Sequence, residues 1–270
     1  MSIRVPAVAG TFYPGAAVAL RKEIARFRQE GPEAAPVLAK GILVPHAGYV
    51  YSGPIAGQVY RRILPPDLCI LLGPNHTGLG RPGALWAQGS WKTPLGEVPI
   101  DEEAAAGLLG ASRILEADER AHAREHSLEV QIPFLQALNP KIRIVPVTLG
   151  HLSLERSLAL GAELAAFVQG YPGNTLLLAS SDMNHYLPDK LTRRLDRLAL
   201  EPLLALDAGA LYQAVEKNDL SMCGYIPATA VTAAVRRMGA RHAELVAYGT
   251  SGDTSGDFER VVGYAGVIFH

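Results

Sequence analysis

The sequence is short of cysteine and has no excess of charge of either sign, and each shortage argues against a class of protein. Two of the 270 residues are cysteine, Cys69 and Cys223, which is too few for a disulfide framework. Lysine and arginine number 25 against 26 aspartate and glutamate residues. This balance gives no electrostatic reason to expect a nucleic acid or a membrane as partner, and we predict neither.

Long apolar runs and several familiar motifs are also missing. No stretch approaches eighteen consecutive apolar residues, and the opening MSIRVPAVAGTFYPG has no continuous apolar segment of the signal-peptide kind. We therefore expect a cytoplasmic protein. The sequence contains no P-loop, no dinucleotide-binding glycine pattern and no GxSxG elbow, so none of these motifs can be used to predict its activity.

Short apolar runs and helical patterns alternate along the chain. Runs rich in Ile, Leu and Val and bounded by Gly or Pro are typical of buried strands, and helices show apolar residues at a period near 3.6. The alternation predicts an α/β fold, with a mixed, largely buried central sheet flanked by helices, in a single domain over residues 1–270. The predicted strands are 41–46, 68–76, 142–150, 175–185, 243–252 and 261–270, and the predicted helices are 15–31, 153–170 and 227–239.

Titratable residues follow three of the predicted strands. The first run ends in His46, the second in His76, and the fourth leads into Asp182 and His185. Ligands of open α/β sheets bind beyond the carboxyl ends of the strands, so these groups are predicted to form one site. Each histidine alone is more often a surface residue, and Asp182 alone could cap a following helix; it is the repetition that favours a site.

Other residues are candidates for the same site. Cys223 lies in SMCGYIPATA, where a thiol near a helix start is biased towards thiolate, whereas Cys69, inside an apolar strand, is expected to be a buried small residue. The segment EHSLEVQIPFL carries Glu125, His126 and Glu129. Either these side chains point into the cleft, or they are acidic residues at the favourable end of a helix dipole.

Five motifs resemble those of a known family, in order and over nearly the whole chain. VPHAGYVYSG, GPNHTG, EHSLEVQIPFL, SSDMNHY and CGYIPA are similar to motifs of the Memo family. The resemblance implies a fold like that of the class III extradiol dioxygenases, which cleave aromatic rings with non-haem iron. It also implies functional association with a radical-SAM protein and an AMMECR-type protein, since microbial relatives are grouped with both.

The resemblance also implies roles for individual residues. His46 and His76 match the metal-ligand histidines of the dioxygenases, and His185 matches their acid/base residue. Cys223 stands where the dioxygenases have a glutamate ligand, and this difference argues against ring cleavage. A thiolate shifts the preference from Fe towards Cu or Zn, so the expected cofactor is one divalent or redox metal ion among these three.

The leading hypothesis from the sequence is a metal-dependent redox enzyme acting on a small molecule. His46, His76 and Cys223 would hold the metal, and His185 would act as general acid/base, oriented by Asp182. Whether Asp182 contacts the metal directly is left open.

The substrate is predicted to enter past two tyrosines and a segment rich in Gly and Pro. The tyrosines are Tyr49 and Tyr51, and the segment is 77–100, which could form a hairpin or an active-site flap. Two alternatives use the same pocket without metal-dependent redox chemistry. One is a hydrolase with Cys223, His185 and Asp182 as nucleophile, base and orienting acid. The other is a non-catalytic module that binds a metal or a phosphorylated ligand.

Overall fold

The computed structural model describes residues 2–270. Within them the strands are β1 (Ile3–Arg4), β2 (Gly41–Val44), β3 (Leu68–Pro74), β4 (Gly83–Leu85), β5 (Ser90–Thr93), β6 (Gly96–Pro99), β7 (Glu116–Ala117), β8 (Arg143–Leu149), β9 (Thr175–Ser180), β10 (His185–Leu187), β11 (Ala243–Thr250) and β12 (Val261–Phe269). The helices are α1 (Ala17–Phe27), α2 (Tyr49–Arg61), α3 (Glu102–Ala111), α4 (Ile132–Leu138), α5 (Leu154–Gly170), α6 (Asp189–Leu204), α7 (Ala208–Asn218), α8 (Tyr225–Arg237) and α9 (Gly252–Ser255), with a 3-10 turn (Glu129–Gln131) before α4.

A mixed sheet of nine strands forms the centre of the protein. Its order is β10-β12-β2-β9-β3-β8-β4-β7, and β11 pairs with β12. The four central strands β2, β9, β3 and β8 are parallel to one another, whereas β12 and β4 run antiparallel to their central neighbours. The predicted fold class, a mixed α/β protein with a central sheet flanked by helices, is confirmed.

The central strands are buried because helices cover both faces of the sheet. Every residue of β2, β3 and β9 is buried, and so is every residue of β8 except Arg143. At Gly41 a β-carbon would meet valines of α8, and at Gly266 it would meet side chains of α2. Gly266 lies three residues from Gly41 in the β12–β2 register, so α8 and α2 lie on opposite faces.

All three predicted helices are present; α5 and α8 lie within two residues of their expected ends, and α1 ends at Phe27, four residues before the predicted end at 31. α5 begins after Ser153, whose side chain accepts a hydrogen bond from the backbone N–H of Arg156, as expected for an N-cap. α8 ends shortly before Gly239, which adopts a positive φ of 86°. None of the helices within residues 2–270 combines the length and apolar character needed to cross a membrane.

The Gly- and Pro-rich segment 77–100 contains the predicted hairpin. β5 and β6 pair antiparallel and join β1 in a second sheet of three strands. Trp91 of β5 is 1% exposed and belongs to the hydrophobic core. The hairpin is therefore anchored to the body of the protein by a buried aromatic side chain, and the alternative of a free flap is not supported.

Candidate metal site

Two histidines and a cysteine meet at the carboxyl edge of the parallel strands. His46 lies two residues beyond β2, and His76 lies two residues beyond β3. Cys223 reaches the same place from the loop before α8. One potential ligand atom from each side chain lies within 4.8 Å of the other two. The structure thus brings together the three residues that the sequence analysis assigned to a metal.

The buried His46 ring is held in one tautomer. Its Nδ1 lies 2.9 Å from the Ser180 hydroxyl, which donates its only hydrogen to the Ser127 carbonyl at 2.7 Å and accepts from the Gln131 amide at 3.1 Å. Nδ1 must therefore carry the proton, because the hydroxyl has no hydrogen left to donate. This leaves a lone pair on Nε2, which faces the Cys223 sulfur at 3.2 Å.

His76 is held by a carboxylate. Its backbone N–H and its Nδ1 both bond to Glu125, at 2.6 and 2.9 Å, and the same carboxylate accepts the backbone N–H groups of His126 and Ser127. Burial alone would raise the pKa of Glu125 and lower that of His76. The hydrogen bond and attraction between the two outweigh burial, bringing the pKa of Glu125 to about 2 and raising that of His76. The available nitrogen of His76 is Nε2.

Asp182 is buried and forms hydrogen bonds with both His46 and Cys223. Its carboxylate accepts the backbone N–H of His46 at 2.8 Å, and its own N–H donates to the Cys223 sulfur at 3.3 Å. Burial raises the pKa of Asp182 to about 7. Burial and the nearby Asp182 charge also raise the pKa of the Cys223 thiol. In the metal-free protein the thiol is thus biased away from thiolate, contrary to the expectation from its position near a helix start.

His185 is oriented by Ser221, and not by Asp182 as expected. The backbone N–H of His185 donates to the Ser221 hydroxyl at 2.8 Å, and Nδ1 lies 2.9 Å from the Ser221 carbonyl, so Nδ1 carries the proton. No hydrogen bond joins Asp182 and His185 within residues 2–270. The reason is local: His185 begins β10, so the chain does not form the helical turn that would bring the two side chains to one face. Burial lowers the pKa of His185.

The segment EHSLEVQIPFL contributes Glu125 and His126 to the site and Glu129 to the core. The His126 ring stacks on His76, with centroids 4.8 Å apart, and contacts Phe12 on another side. Glu129 does not point into the cleft. It is 1% exposed and forms an ion pair of 2.7 Å with Arg4, so its role is structural.

An open cleft of about 230 Å³ begins at His76 and Cys223. It does not pass Tyr49, as the sequence analysis predicted, because Tyr49 is buried and donates its hydroxyl hydrogen to the Val130 carbonyl. The cleft instead lies between the loops that follow β3 and β8 and the first turn of α8. Further residues that line it are Leu149, His151, Tyr225, Ile226 and Pro227.

Three supporting residues of the site have no clear signal in the sequence. Ser180 and Gln131, which fix the tautomer of His46, lie 134 and 85 residues from it in the chain, and both types are common in strands and helices. For Glu125 the sequence is compatible with two positions, in the cleft or at the start of a helix. One local feature could have identified its role. In EHS, the backbone N–H groups of the next two residues, His126 and Ser127, donate to the Glu125 carboxylate.

The fold and the site define a class: a mixed α/β protein with a His–His–Cys group, able to hold a metal ion, at the carboxyl edge of its parallel strands. The family described as Memo-like protein matches residues 4–268. A MEMO1 family protein of Methanopyrus kandleri is 42% identical over 278 residues, covering 98% of each chain. One of Sulfolobus acidocaldarius is 41% identical over 282 residues, covering 99% of each. The chain belongs to the Memo family, and the resemblance seen in its motifs is confirmed.

A solved structure supports the fold. The crystal structure of an uncharacterized protein from Escherichia coli K12 matches with a TM-score of 0.57, covering 83% of this chain and 98% of that one. The sequence identity is 15%, so the likeness concerns the fold alone. The relation to extradiol dioxygenases and the single-domain organisation stay predictions.

Proposed function

We propose that the protein is a metal-dependent redox enzyme that acts on a small molecule in the cleft, with His46, His76 and Cys223 as metal ligands. The observation that carries the proposal is the preformed donor set, three ligand atoms from distant segments within 4.8 Å of one another. Both histidines have Nδ1 occupied by a protein partner, which presents Nε2 to the site. Such hydrogen-bonded imidazoles are the usual form of metal-ligating histidine.

The donor set fits a metal ion chemically. A neutral imidazole is required of a ligand histidine, and burial together with the neighbouring histidines lowers the pKa of His46 well below its usual value. The Cys223 thiol would lose its proton on binding, because the charge of an ion reverses the effect of burial on a thiol. Three protein ligands leave a coordination position open for substrate, as in catalytic sites. The thiolate favours Cu or Zn over Fe.

The remaining residues have defined tasks in this proposal. A bound metal ion would supply Lewis acidity and, if Cu or Fe, one-electron chemistry. His185, with its proton fixed on Nδ1 by Ser221, offers Nε2 as a proton acceptor, and burial lowers its pKa, which favours the neutral form. Asp182 fixes the backbone of His46 and so the position of its ring.

Metal analysis of the purified protein tests the proposal. Protein prepared without oxygen or chelator is expected to contain about one Fe, Cu or Zn ion per chain by elemental analysis. His46→Ala and Cys223→Ala should lose it, and His242→Ala, a change at an exposed histidine, should retain it. Absence of stoichiometric metal, together with equal metal uptake by wild type and His46→Ala, would contradict the proposal.

One observation favours a second candidate, a metal-free cysteine hydrolase. The Cys223 sulfur lies 3.2 Å from His46 Nε2, a distance suited to a nucleophile and its base. His46 thus takes the role of base that the sequence analysis gave to His185. Ester hydrolysis by metal-free protein, abolished in Cys223→Ala, would favour this candidate. Metal-free, inactive protein that still binds a phosphorylated ligand would favour a binding module instead.

Two further expectations from the family resemblance belong to the same proposal. We propose that the protein works in the cytoplasm, and that it is functionally associated with a radical-SAM protein and an AMMECR-type protein. A metal-dependent redox enzyme is compatible with such a grouping, because a radical-SAM protein also carries out redox chemistry.

A further inference from the structure

A fourth parallel strand also delivers a histidine to the carboxyl edge of the sheet. β8 ends at Leu149, and His151 follows it by two residues, the same offset that places His46, His76 and Asp182 beyond their strands. β8 pairs with β3 in parallel register, so His151 and His76 leave the sheet side by side. His151 is exposed, and its side chain forms no hydrogen bond with residues 2–270. It has no structural task that would explain its place.

His151 shares the cleft with the candidate metal site. Four apolar or aromatic residues, Leu149, Tyr225, Ile226 and Pro227, line the same cleft. At about 230 Å³ the cleft is smaller than the roughly 300–1,000 Å³ of pockets for drug-sized ligands. It therefore suits a small molecule with an apolar body that contacts both His151 and the metal ligands.

The charge of the cleft favours an acidic molecule. None of the residues that line it, within the described part of the chain, is acidic. Two carboxylates contact the wall from outside it: Glu125, which is 1% exposed, bonds to His76 Nδ1 at 2.9 Å, and Glu216 accepts the Tyr225 hydroxyl hydrogen at 2.7 Å. Neither of them lines the cleft. The first turn of α8 adds the positive end of a helix dipole to the same wall, which acts in the same direction as the histidine.

We propose that His151 is a substrate-binding residue, which donates a hydrogen bond to the carboxylate of a small molecule with an apolar or aromatic body. The reactive end of that molecule lies at His76 and Cys223. The identity of this reactive end rests on the proposed function, but binding of the carboxylate by His151 does not require the metal.

Titration with a matched pair of probes tests this assignment. Benzoate and benzamide have the same shape and differ in charge. We expect benzoate to bind the purified protein more tightly than benzamide, by calorimetry or by NMR of the labelled protein. His151→Leu, which has no hydrogen-bond donor, should weaken benzoate binding at least tenfold, leave benzamide binding unchanged and leave the metal content unchanged. His242→Leu, at an exposed histidine elsewhere, should behave as wild type.

The outcomes separate this inference from the proposed metal site. Benzoate binding that depends on His151 in metal-free protein, or in His46→Ala, supports the inference even where the metal proposal fails. Benzoate binding that requires the metal and is unaffected by His151→Leu overturns it, since the carboxylate would then be a metal ligand. No detectable benzoate binding, or equal binding of the two probes, also overturns it.

Discussion

His46 and His76 differ in the group that holds Nδ1. The partner of His46 is the neutral hydroxyl of Ser180, whereas the partner of His76 is the ionised carboxylate of Glu125. A carboxylate partner raises the basicity of an imidazole and strengthens its bond to a metal, more than a hydroxyl does. The two proposed histidine ligands are therefore not equivalent, because only His76 bonds to a negatively charged partner through Nδ1.

We expect Glu125→Gln to reduce the affinity for Zn²⁺ by roughly 10- to 100-fold, because the variant removes the charge that supports His76. The amide oxygen can replace Oε1, which accepts the Nδ1 hydrogen of His76, and the amide NH2 group then faces the His76 backbone N–H in place of Oε2. Competition with a chromophoric chelator measures the affinity. Glu103→Gln, at an exposed position of α3, is the control and should leave it unchanged. Equal affinity of Glu125→Gln and wild type would show that Glu125 has no part in metal binding.

Ligand residues could be predicted from the sequence and their supports could not. His46 and His76 follow apolar runs, and the rule that strand ends converge applies to any parallel sheet. Ser180 and Gln131 are ordinary polar residues whose role depends on a contact between distant segments. The partner of His185 was predicted wrongly for the same reason, since Ser221 is 36 residues away in the chain.

At the scale of elements, strands were easier to predict than helices. The central strands are continuous apolar runs, but α2 contains Gly53, Pro54 and Gly57, which oppose helix formation. The structure gives the physical reason for the glycines: a β-carbon at Gly53 or Gly57 would lie within 2.5 Å of atoms of Phe27. Close packing of α1 on α2 thus requires glycine at positions 53 and 57, and helix propensity alone predicts a loop there.

The short strand β1 anchors the segment that carries Glu125. Arg4 of β1 donates to the His122 and Glu125 carbonyls at 2.8 and 2.6 Å and forms a buried ion pair with Glu129. Its guanidinium also lies 4.2 Å from the centre of the Trp91 ring. The Arg4 side chain thus contacts residues 122, 125 and 129, on both sides of the Glu125 carboxylate that positions His76.

Replacement of Arg4 tests this anchor. Arg4→Met should lower the free energy of unfolding by about 3–5 kcal/mol, because it leaves the Glu129 carboxylate buried without its charge partner. The double variant Arg4→Met/Glu129→Gln should be less destabilised than Arg4→Met, since the uncompensated charge is gone. Arg26→Met, which breaks an exposed pair with Glu30, should change stability by less than about 0.5 kcal/mol. Urea denaturation measures all three, and a double variant worse than the single one would contradict the explanation.

At the scale of the whole molecule, His122 lies where the two sheets meet. Its ring lies edge-on to Trp91 of the small sheet, with centroids 5.6 Å apart. It also bonds to the Ala84 carbonyl and the Thr148 hydroxyl of the large sheet, at 3.1 and 2.9 Å. Burial lowers the pKa of His122 to about 3, and the opposing effects of the Ala84 hydrogen bond and of the Asp118 and Glu125 charges are too small to offset it. The sheets are therefore joined through an imidazole that must remain neutral.

This burial makes the stability of the metal-free protein depend on pH. Between about pH 6.5 and pH 3 the unfolded chain binds a proton at His122 that the folded protein does not, so stability falls as the pH falls. The contribution approaches about 1.4 kcal/mol per pH unit below pH 6.

Urea denaturation at pH 7, 6, 5.5 and 5 measures this contribution to the free energy of unfolding. His122→Gln should be less stable at pH 7 but should show a flatter dependence by about one proton, and His242→Gln should keep the wild-type slope. Other buried groups, His46 among them, contribute equally to all three proteins, so the difference between slopes isolates His122. A His122→Gln protein with the wild-type slope would show that this imidazole does not couple the packing of the two sheets to pH.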